Sequence, residues 1–386
     1  MTRVWIGVDD TDSRAGGCTT ALAAEIIDAF PELRVAEPPR LVRLNPNIPW
    51  KTRGNGAIAL AFDGGLSDDE VLDRAVALVE SRAQRAPGTE PGVVVTRRRP
   101  SADIYHAAVT RVVTRDELPE LLTWGGRGVI GATAAIAWPA QRATWERIAY
   151  RDTTTRALDP ERFRAVEESF PSLFDTYDLV ENDVVCVPSS PCPVLYGLRG
   201  TSPDELEAAS ATLGPQRPIR ETLFLTNQGS DDHLRDADEA RPFESVRMRG
   251  RVAERPHERG GHVFARVGGA RVAAYAPTRS FRRTILKLRA GDDITVCGGV
   301  HAGPDGEPTV GLEKIHVHDA PPRTKGNPAC CGKSMKSRGA AAGYRCSLCG
   351  ARASAAPTEP SELAGWHEVP AVARRHLARP LKLGLT

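Results

Sequence analysis

Residues 4–8 read Val-Trp-Ile-Gly-Val, an apolar run that stops on three carboxylates within four positions, Asp9, Asp10 and Asp12. A short apolar run bounded by turn signals is a strand candidate. The carboxylates sit at its end, before a turn that holds Gly16, Gly17, Cys18, Thr19 and Thr20, and a helix-like stretch follows. Clustered carboxylates repel one another, so they need full solvation or a neutralising cation. The cluster therefore reads either as a magnesium and phosphate site or as a solvated turn in which Asp and Ser cap a helix.

Strands and helices alternate up to about Arg151, which argues for an α/β layer rather than a helical bundle. Val4–Val8, Ala57–Phe62, Val93–Thr96 and Ala107–Val113 read as strands. Thr20–Phe30, Asp68–Arg82 and the short Glu117–Leu122 read as helices. A second α/β unit spans residues 152–240, with strands at Asp183–Val187, Val194–Leu198 and Thr222–Thr226 and a helix at Asp204–Leu213.

Residues 241–322 change character. Ser245–Ala253, His262–Val267, Arg271–Ala276, Asp293–Gly298 and Thr309–His318 read as five strands, and the helix Ser280–Leu288 falls between the third and fourth. That order is the order of an OB-fold, although another small barrel of this size fits too. Arg279, Arg282, Arg283, Lys287 and Arg289, with Arg247, Arg249 and Arg251, would track a phosphate backbone or form a solvated basic face. The segment from Ala320 to Pro328 reads as a linker, and the tail 356–386 carries a basic patch of Arg374, Arg375, His376 and Arg379.

Two other segments end strands in polar groups. Gly126-Arg127-Gly128 opens a small-residue helix whose free amides would suit a phosphate, or whose glycines serve close packing on a sheet. It is neither a Walker A nor a Rossmann fingerprint. Asp231, Asp232 and His233 follow the strand at 222–226 and read as a site for a cationic group or metal, or as an Asx-rich turn.

The chain has 386 residues and eight cysteines, four of them within one short segment. Cys346-Ser-Leu-Cys349-Gly350 has zinc-knuckle spacing, and the adjacent Cys330 and Cys331 stand where its partner pair belongs. Adjacent cysteines do not wrap a metal as a spaced pair does, which leaves zinc on all four, or a ligand replaced by water or His. Cys18, Cys186, Cys192 and Cys297 read as buried small apolar residues. Clustered rather than scattered cysteines point to a reducing, cytoplasmic setting. No apolar run approaches the roughly 20 residues that span a bilayer, and no secretory signal is visible. The net charge of +2 excludes a strongly cationic coat but not local basic patches.

Taken together, the chain resembles the isoleucine-tRNA 2-agmatinylcytidine synthetases. The resemblance rests on Trp5-Ile6-Gly7 with Asp9 to Ser13 and Cys18-Thr19-Thr20, on Gly126 to Ala132, on Glu146 to Arg151, and on Pro191 to Gly200. It continues through Thr226 to His233, Ala276 to Arg282, Leu312 to Ile315, the cysteine segment and Ala373 to Leu377, in collinear order over nearly the whole chain. That family joins agmatine to C2 of the wobble cytidine in the isoleucine tRNA with a CAU anticodon. The base then pairs with A rather than G, and ATP yields AMP and two phosphates.

The resemblance implies four parts: a kinase-like α/β domain (residues 1–151, which can interleave with the next), a ferredoxin-like α+β domain (152–240), the OB-fold (241–322) and a zinc-ribbon-like module (323–355). It implies Asp9, Asp10 and Asp12 on magnesium, Thr19 as a phosphorylated hydroxyl, and Thr11, Ser13, Thr20, Gly126, Arg127 and Gly128 around ATP. From charge, Asp231 or Asp232 would meet the cationic end of agmatine, with His233 beside them, and Arg279, Arg282, Arg283 and Lys287 would meet tRNA. The family spaces its first cysteine pair by two residues, which are missing here, so the expected zinc site departs from the family pattern at this pair. The competing readings are a non-catalytic RNA-binding adaptor and a related synthetase for another amine or tRNA.

Overall fold

The computed structural model describes residues 2–384 apart from positions 53, 215, 304, 325, 340, 341 and 360. Its first half is one mixed sheet. In chain order the elements are β1 (Thr2–Asp9), α1 (Thr19–Ala29), β2 (Arg40–Arg43), β3 (Gly56–Gly64), α2 (Asp68–Arg82), β4 (Gly92–Thr96), α3 (Ala102–Thr110), β5 (Leu122–Gly125) and α4 (Gly128–Ala137). There follow β6 (Thr144–Tyr150), α5 (Pro160–Ser169), β7 (Leu173–Phe174), β8 (Val194–Gly200), α6 (Pro203–Thr212) and β9 (Arg220–Thr226). The strand order is β5-β4-β1-β3-β2-β9-β6-β8-β7.

β1 is central, so both of its faces are covered. Val4, Ile6 and Val8 pack toward α1 and α2, and Trp5 joins the cluster of α3 and α4 on the other face. Gly7 is required there: a Cβ would lie 2.5 Å from the Ala132 carbonyl oxygen of α4. α2 starts where Ser67 accepts from the Glu70 amide and three acidic residues occupy the first turn, matching the helix dipole.

The sheet does not break at residue 151. β6 pairs with β8 and β9, and β9 pairs in parallel with β2, so the two α/β units share one hydrogen-bonded surface. Two local expectations are corrected. Ala107–Val113 is not a strand, because α3 runs through Ala102–Thr110. Its buried Tyr105, Ala108 and Val109 have helical spacing, and Ser101 caps it by accepting from the Asp103 amide. Glu117–Leu122 is not a helix either. A single 3-10 turn (Arg115–Glu117) stops before Pro119, and β5 begins at Leu122.

The second half continues with β10 (Leu234–Asp236), β11 (Ser245–Arg251), β12 (His262–Val267), β13 (Ala270–Ala274), α7 (Phe281–Leu286), β14 (Asp293–Ala302), β15 (Pro308–Asp319) and β16 (Gly365–Glu368). β11 pairs with β14, β14 with β15, β15 in parallel with β13, and β13 with β12. A bridge between Val252 and Val267 joins the first and second of these strands. Val246, Val263, Phe281, Ile285, Val296 and Ile315 fill the interior. No helix among the described residues is long and apolar enough to cross a membrane.

The tail is not a loose basic patch. Arg374 is paired with Asp175 and Glu368, and Arg375 donates to Asn47 at 2.6 Å. The Gly229 amide donates to the His376 carbonyl at 2.9 Å, and the Asp231 amide to that of Leu377 at 2.8 Å. The segment thereby ties the sheet to the barrel.

Candidate functional site

β1 delivers its carboxylates to the rim of a cavity of about 540 Å³. Asp9, Asp10 and Asp12 line it, with Cys18, Thr19 and Thr20 from the start of α1 and Arg127, Gly128 and Gly131 from the start of α4. The chain turns sharply at Asp10 (φ 58°). Its amide donates to Asp9 Oδ1 at 2.7 Å, and its own Oδ2 accepts from the Glu90 amide at 2.8 Å. Asp12 Oδ1 accepts from the Thr52 hydroxyl at 2.9 Å. Burial, reinforced by the neighbouring Asp10 and Asp12 charges, pushes the Asp9 carboxyl up to about 8. Such a group is stabilised in its charged form by an added cation.

The three carboxylates share the cavity but do not converge as a ligand set. Among the described residues only the four clustered cysteines do. Each Asp is instead turned to a hydrogen-bond donor of the loop. Arg127 approaches Asp10 at 3.6 Å and Glu90 at 3.1 Å, and its guanidinium lies over the Trp50 ring. The glycines of α4 serve close approach. A Cβ on Gly128 would fall 2.7 Å from the Asp9 carbonyl, and one on Gly131 1.9 Å from Asp9 Oδ2. Gly126 lies outside the cavity lining, against Glu90.

Thr19 is buried at the first position of α1, where the Thr20 and Ala21 amides turn to the Cys18 sulfur, and its hydroxyl accepts from Thr11 at 3.1 Å. Thr11 and Ser13 are buried and lie outside the lining. Cys18, read from sequence as an apolar filler, contacts the Thr20 hydroxyl at 3.0 Å and faces the cavity, as do Cys186 and Cys192.

A second group of lining residues had no local signature in the sequence. Arg43 of β2, Glu146 of β6, Arg199 of β8 and His376 of the tail meet there. Buried Glu146 lies 3.6 Å from Arg43 and 3.3 Å from Arg199, and accepts from Gln228 at 2.5 Å. Burial lowers the Arg43 guanidinium, against the attraction of Glu146. Burial together with the Arg43 and Arg199 charges holds His376 well below the ordinary imidazole range. The resemblance touched Glu146, Arg199 and His376, the basic tail patch also included His376, and Arg43 carried no signal at all.

Asp231, Asp232 and His233 are not brought to this cavity. Asp231 pairs with Lys314 Nζ at 2.7 Å and accepts from the Arg379 amide at 2.7 Å. Asp232 accepts from the Tyr105 hydroxyl at 2.6 Å, and fully buried His233 meets Glu313 at 2.9 Å. Asp231 and His233 thus tie the turn after β9 to β15. A strand end rich in carboxylates looks the same in sequence whether its partners are a ligand or the next unit. Arg279 pairs with Asp183 at 3.0 Å and Arg282 is held by the Gly261 carbonyl, whereas Arg283 and Lys287 are exposed one helical turn apart.

The four clustered cysteines do converge. All their sulfurs lie within 4.8 Å of one another, with Cys330 at 3.8 Å from Cys331 and 3.4 Å from Cys349. Zinc–sulfur bonds of about 2.3 Å in a tetrahedron put sulfurs roughly 3.8 Å apart. Backbone amides of Cys349 and Leu348 pull the Cys346 thiol down to about 6, the state that ligates metal. The adjacent pair reaches one centre because Cys331 and Gly332 take consecutive left-handed conformations (φ 50° and 72°). Of the two arrangements left open by the sequence, the turn favours the one in which all four sulfurs face one centre.

The chain matches the TiaS TCKD domain over residues 5–69 and 66–132, the TiaS FLD domain over 126–233, and the TiaS C-terminal zinc ribbon domain over 327–361. It is 38% identical to the isoleucine-tRNA 2-agmatinylcytidine synthetase TiaS of Archaeoglobus fulgidus, covering 98% of this chain and 97% of the relative. It is similar to the solved complex of TiaS with its isoleucine tRNA and ATP (TM-score 0.86, 34% identity, 100% of this chain and 98% of that one). It is likewise similar to the complex of TiaS with the same tRNA, AMPCPP and agmatine (TM-score 0.84, 32% identity, the same coverage).

Proposed function

The chain belongs to the isoleucine-tRNA 2-agmatinylcytidine synthetase family, and from that premise we propose that it joins agmatine to a cytidine of an isoleucine tRNA at the expense of ATP. The observation that carries this is the single cavity whose two groups of lining residues differ in chemistry. One group offers carboxylates, Thr19 and Arg127, and the other offers Arg43, Glu146, Arg199 and His376.

The chemistry needs both groups. The C2 carbonyl of cytosine is a poor electrophile and oxide is a poor leaving group. Transfer of a phosphoryl group to that oxygen creates a good one, after which the primary amine of agmatine attacks C2. Asp9, Asp10 and Asp12 are the carboxylates that would hold magnesium once turned from the loop donors they meet here, and the ion when bound neutralises phosphate charge. Thr19, buried against Thr11 at the start of α1, is the hydroxyl that would carry a phosphoryl group of its own. Arg127 is the cation that would meet the phosphates, and Thr20 a hydroxyl beside it; the first amides at the start of α4 are taken up by Glu90 and by the Gly126 and Arg127 carbonyls. The reacting cytidine must leave its stack to enter a cavity of this size.

Residues 241–322 support an OB-fold, because the pairing order first-fourth-fifth-third-second with a helix after the third strand is the order of that barrel. We read the first sheet as kinase-like and ferredoxin-like halves joined through β2 and β9. Cys330, Cys331, Cys346 and Cys349 would hold zinc, whose binding supplies folding energy to a module with few apolar contacts. Arg283 of α7 and Lys287 just after it are exposed cations available to a phosphate backbone, and cytoplasmic tRNA is the substrate pool.

The test is incubation with ATP, agmatine and an isoleucine tRNA bearing CAU, followed by nucleoside mass spectrometry. Agmatinylcytidine is the expected product. Unchanged cytidine refutes the reading, and a product with another amine or tRNA redirects it.

A further inference from the structure

His376 stands outside every role assigned so far, yet it lines the reaction cavity. It reaches there from the far end of the chain, held on both sides by the ties of Arg375 and Leu377 described above. Its two ring nitrogens have different surroundings. Nδ1 is sealed from solvent and has no hydrogen-bond partner among the described residues. Nε2 lies on the side of Gly54, within 2.9 Å of where a Cβ on that glycine would stand, and the Arg43 guanidinium reaches the same point at 2.6 Å.

This asymmetry fixes the proton. Burial and two guanidiniums nearby disfavour an imidazolium, so the ring is neutral and carries one N–H. A buried N–H without an acceptor costs more than a lone pair left without a donor. The proton therefore belongs on Nε2, the nitrogen that faces the cavity, and Nδ1 keeps its lone pair. A neutral N–H beside a guanidinium is a donor suited to an oxygen that is gaining negative charge.

We propose that His376 is a catalytic hydrogen-bond donor, acting through Nε2–H beside Arg43, to the oxygen that leaves C2 of the target cytosine. The proposal rests on the functional reading above. In the step concerned, the amine nitrogen forms its bond to C2 and the C2–O bond breaks. The electron pair departs on the oxygen as phosphate, and the attacking nitrogen loses a proton to solvent. The donor stabilises that developing charge without adding a further positive charge that would repel agmatine, whose attacking amine is neutral but whose other end is a guanidinium. Phosphorylation of Thr19 does not involve it.

Three variants of the full chain separate this from a packing role. His376→Gln places an amide N–H near the position of Nε2. His376→Asn places its amide near Nδ1, and His376→Ala removes both. Each is assayed for Thr19 phosphorylation, for tRNA binding, and for single-turnover conversion of cytidine with saturating agmatine. The expected result is a loss of about 100-fold in conversion for Asn and Ala, a much smaller loss for Gln, and unchanged phosphorylation and tRNA binding in all three. Equal activity of Asn and Gln, wild-type conversion by Ala, or parallel loss of Thr19 phosphorylation overturns the proposal. If the wild-type protein itself yields no agmatinylcytidine, the functional reading fails instead, and that outcome is visible before any variant is made.

Discussion

Gly131→Ala separates catalytic geometry from fold. In an exposed helix, Ala is favoured over Gly by about 1 kcal/mol. Here the new Cβ would sit 1.9 Å from Asp9 Oδ2, 2.8 Å from Asp9 Cγ and 2.9 Å from a Leu44 methyl, where ordinary contact begins at 3.4 Å. The shortfall of about 1.5 Å at the carboxylate must be made up by rotating Asp9 or by lifting α4 from β1, and overpacking of this kind costs about 1–3 kcal/mol. Helix propensity offsets part of that, so the expected fall in melting temperature is small. Activity is another matter, because displacing a catalytic group by about 1 Å can cost on the order of 100-fold. The expected outcome is a folded protein whose Thr19 phosphorylation and ATP turnover fall about 100-fold, measured with radiolabelled ATP. Gly65→Ala, where nothing lies within 4 Å of the added methyl, serves as control. Wild-type turnover in Gly131→Ala refutes the claim that Asp9 works in the position the structure gives it.

Three further outcomes are expected. Lys314→Met leaves the buried Asp231 without its ammonium partner at 2.7 Å, which costs about 3–5 kcal/mol and is read as a lowered melting temperature. Burial raises the Glu313 carboxyl, but the His233, Arg375 and Lys314 charges outweigh it and hold it at about 2, below its ordinary 4.5. A depressed folded-state value means stability that is complete above about 4.5 and is lost as pH falls through about 2. The melting gap between wild type and Glu313→Gln therefore closes as pH falls over that window. Cys346→Ser, or treatment with a strong chelator, removes close to one equivalent of zinc by metal analysis and weakens tRNA binding, while Thr19 phosphorylation persists, because the cysteine cluster stands apart from the cavity.

What the sequence revealed was local in chain and strong in chemistry. Asp9, Asp10 and Asp12 announce themselves because carboxylates rarely cluster without a purpose, and Cys346 and Cys349 because thiolates at that spacing have few other uses. The strands of 241–322 were legible because alternation and turn residues are short-range. Asp231 and His233 misled for the same reason: their partners Lys314 and Glu313 lie about 80 residues on, in another unit, and nothing near the turn says so. Ala107 to Val113 misled because its helical spacing becomes clear only with Ser101 and Tyr105 included.

The wall of Arg43, Glu146, Arg199 and His376 has no local signature at all. Each comes from a different part of the chain, and they meet only because β9 pairs in parallel with β2 while β6 lies between β9 and β8. One pairing therefore builds both the junction of the two α/β units and the second half of the cavity. It follows that a change weakening the β2–β9 pairing should act on the reaction rather than on the barrel. Asn227, whose Oδ1 accepts from the Arg43 amide at 2.7 Å and whose Nδ2 donates to the Arg43 carbonyl at 2.8 Å, is the residue that fixes the register at that seam. This amide pair anchors the backbone at Arg43, whose guanidinium adds to burial in keeping His376 neutral, so the cavity lining inherits its geometry from a side chain outside it.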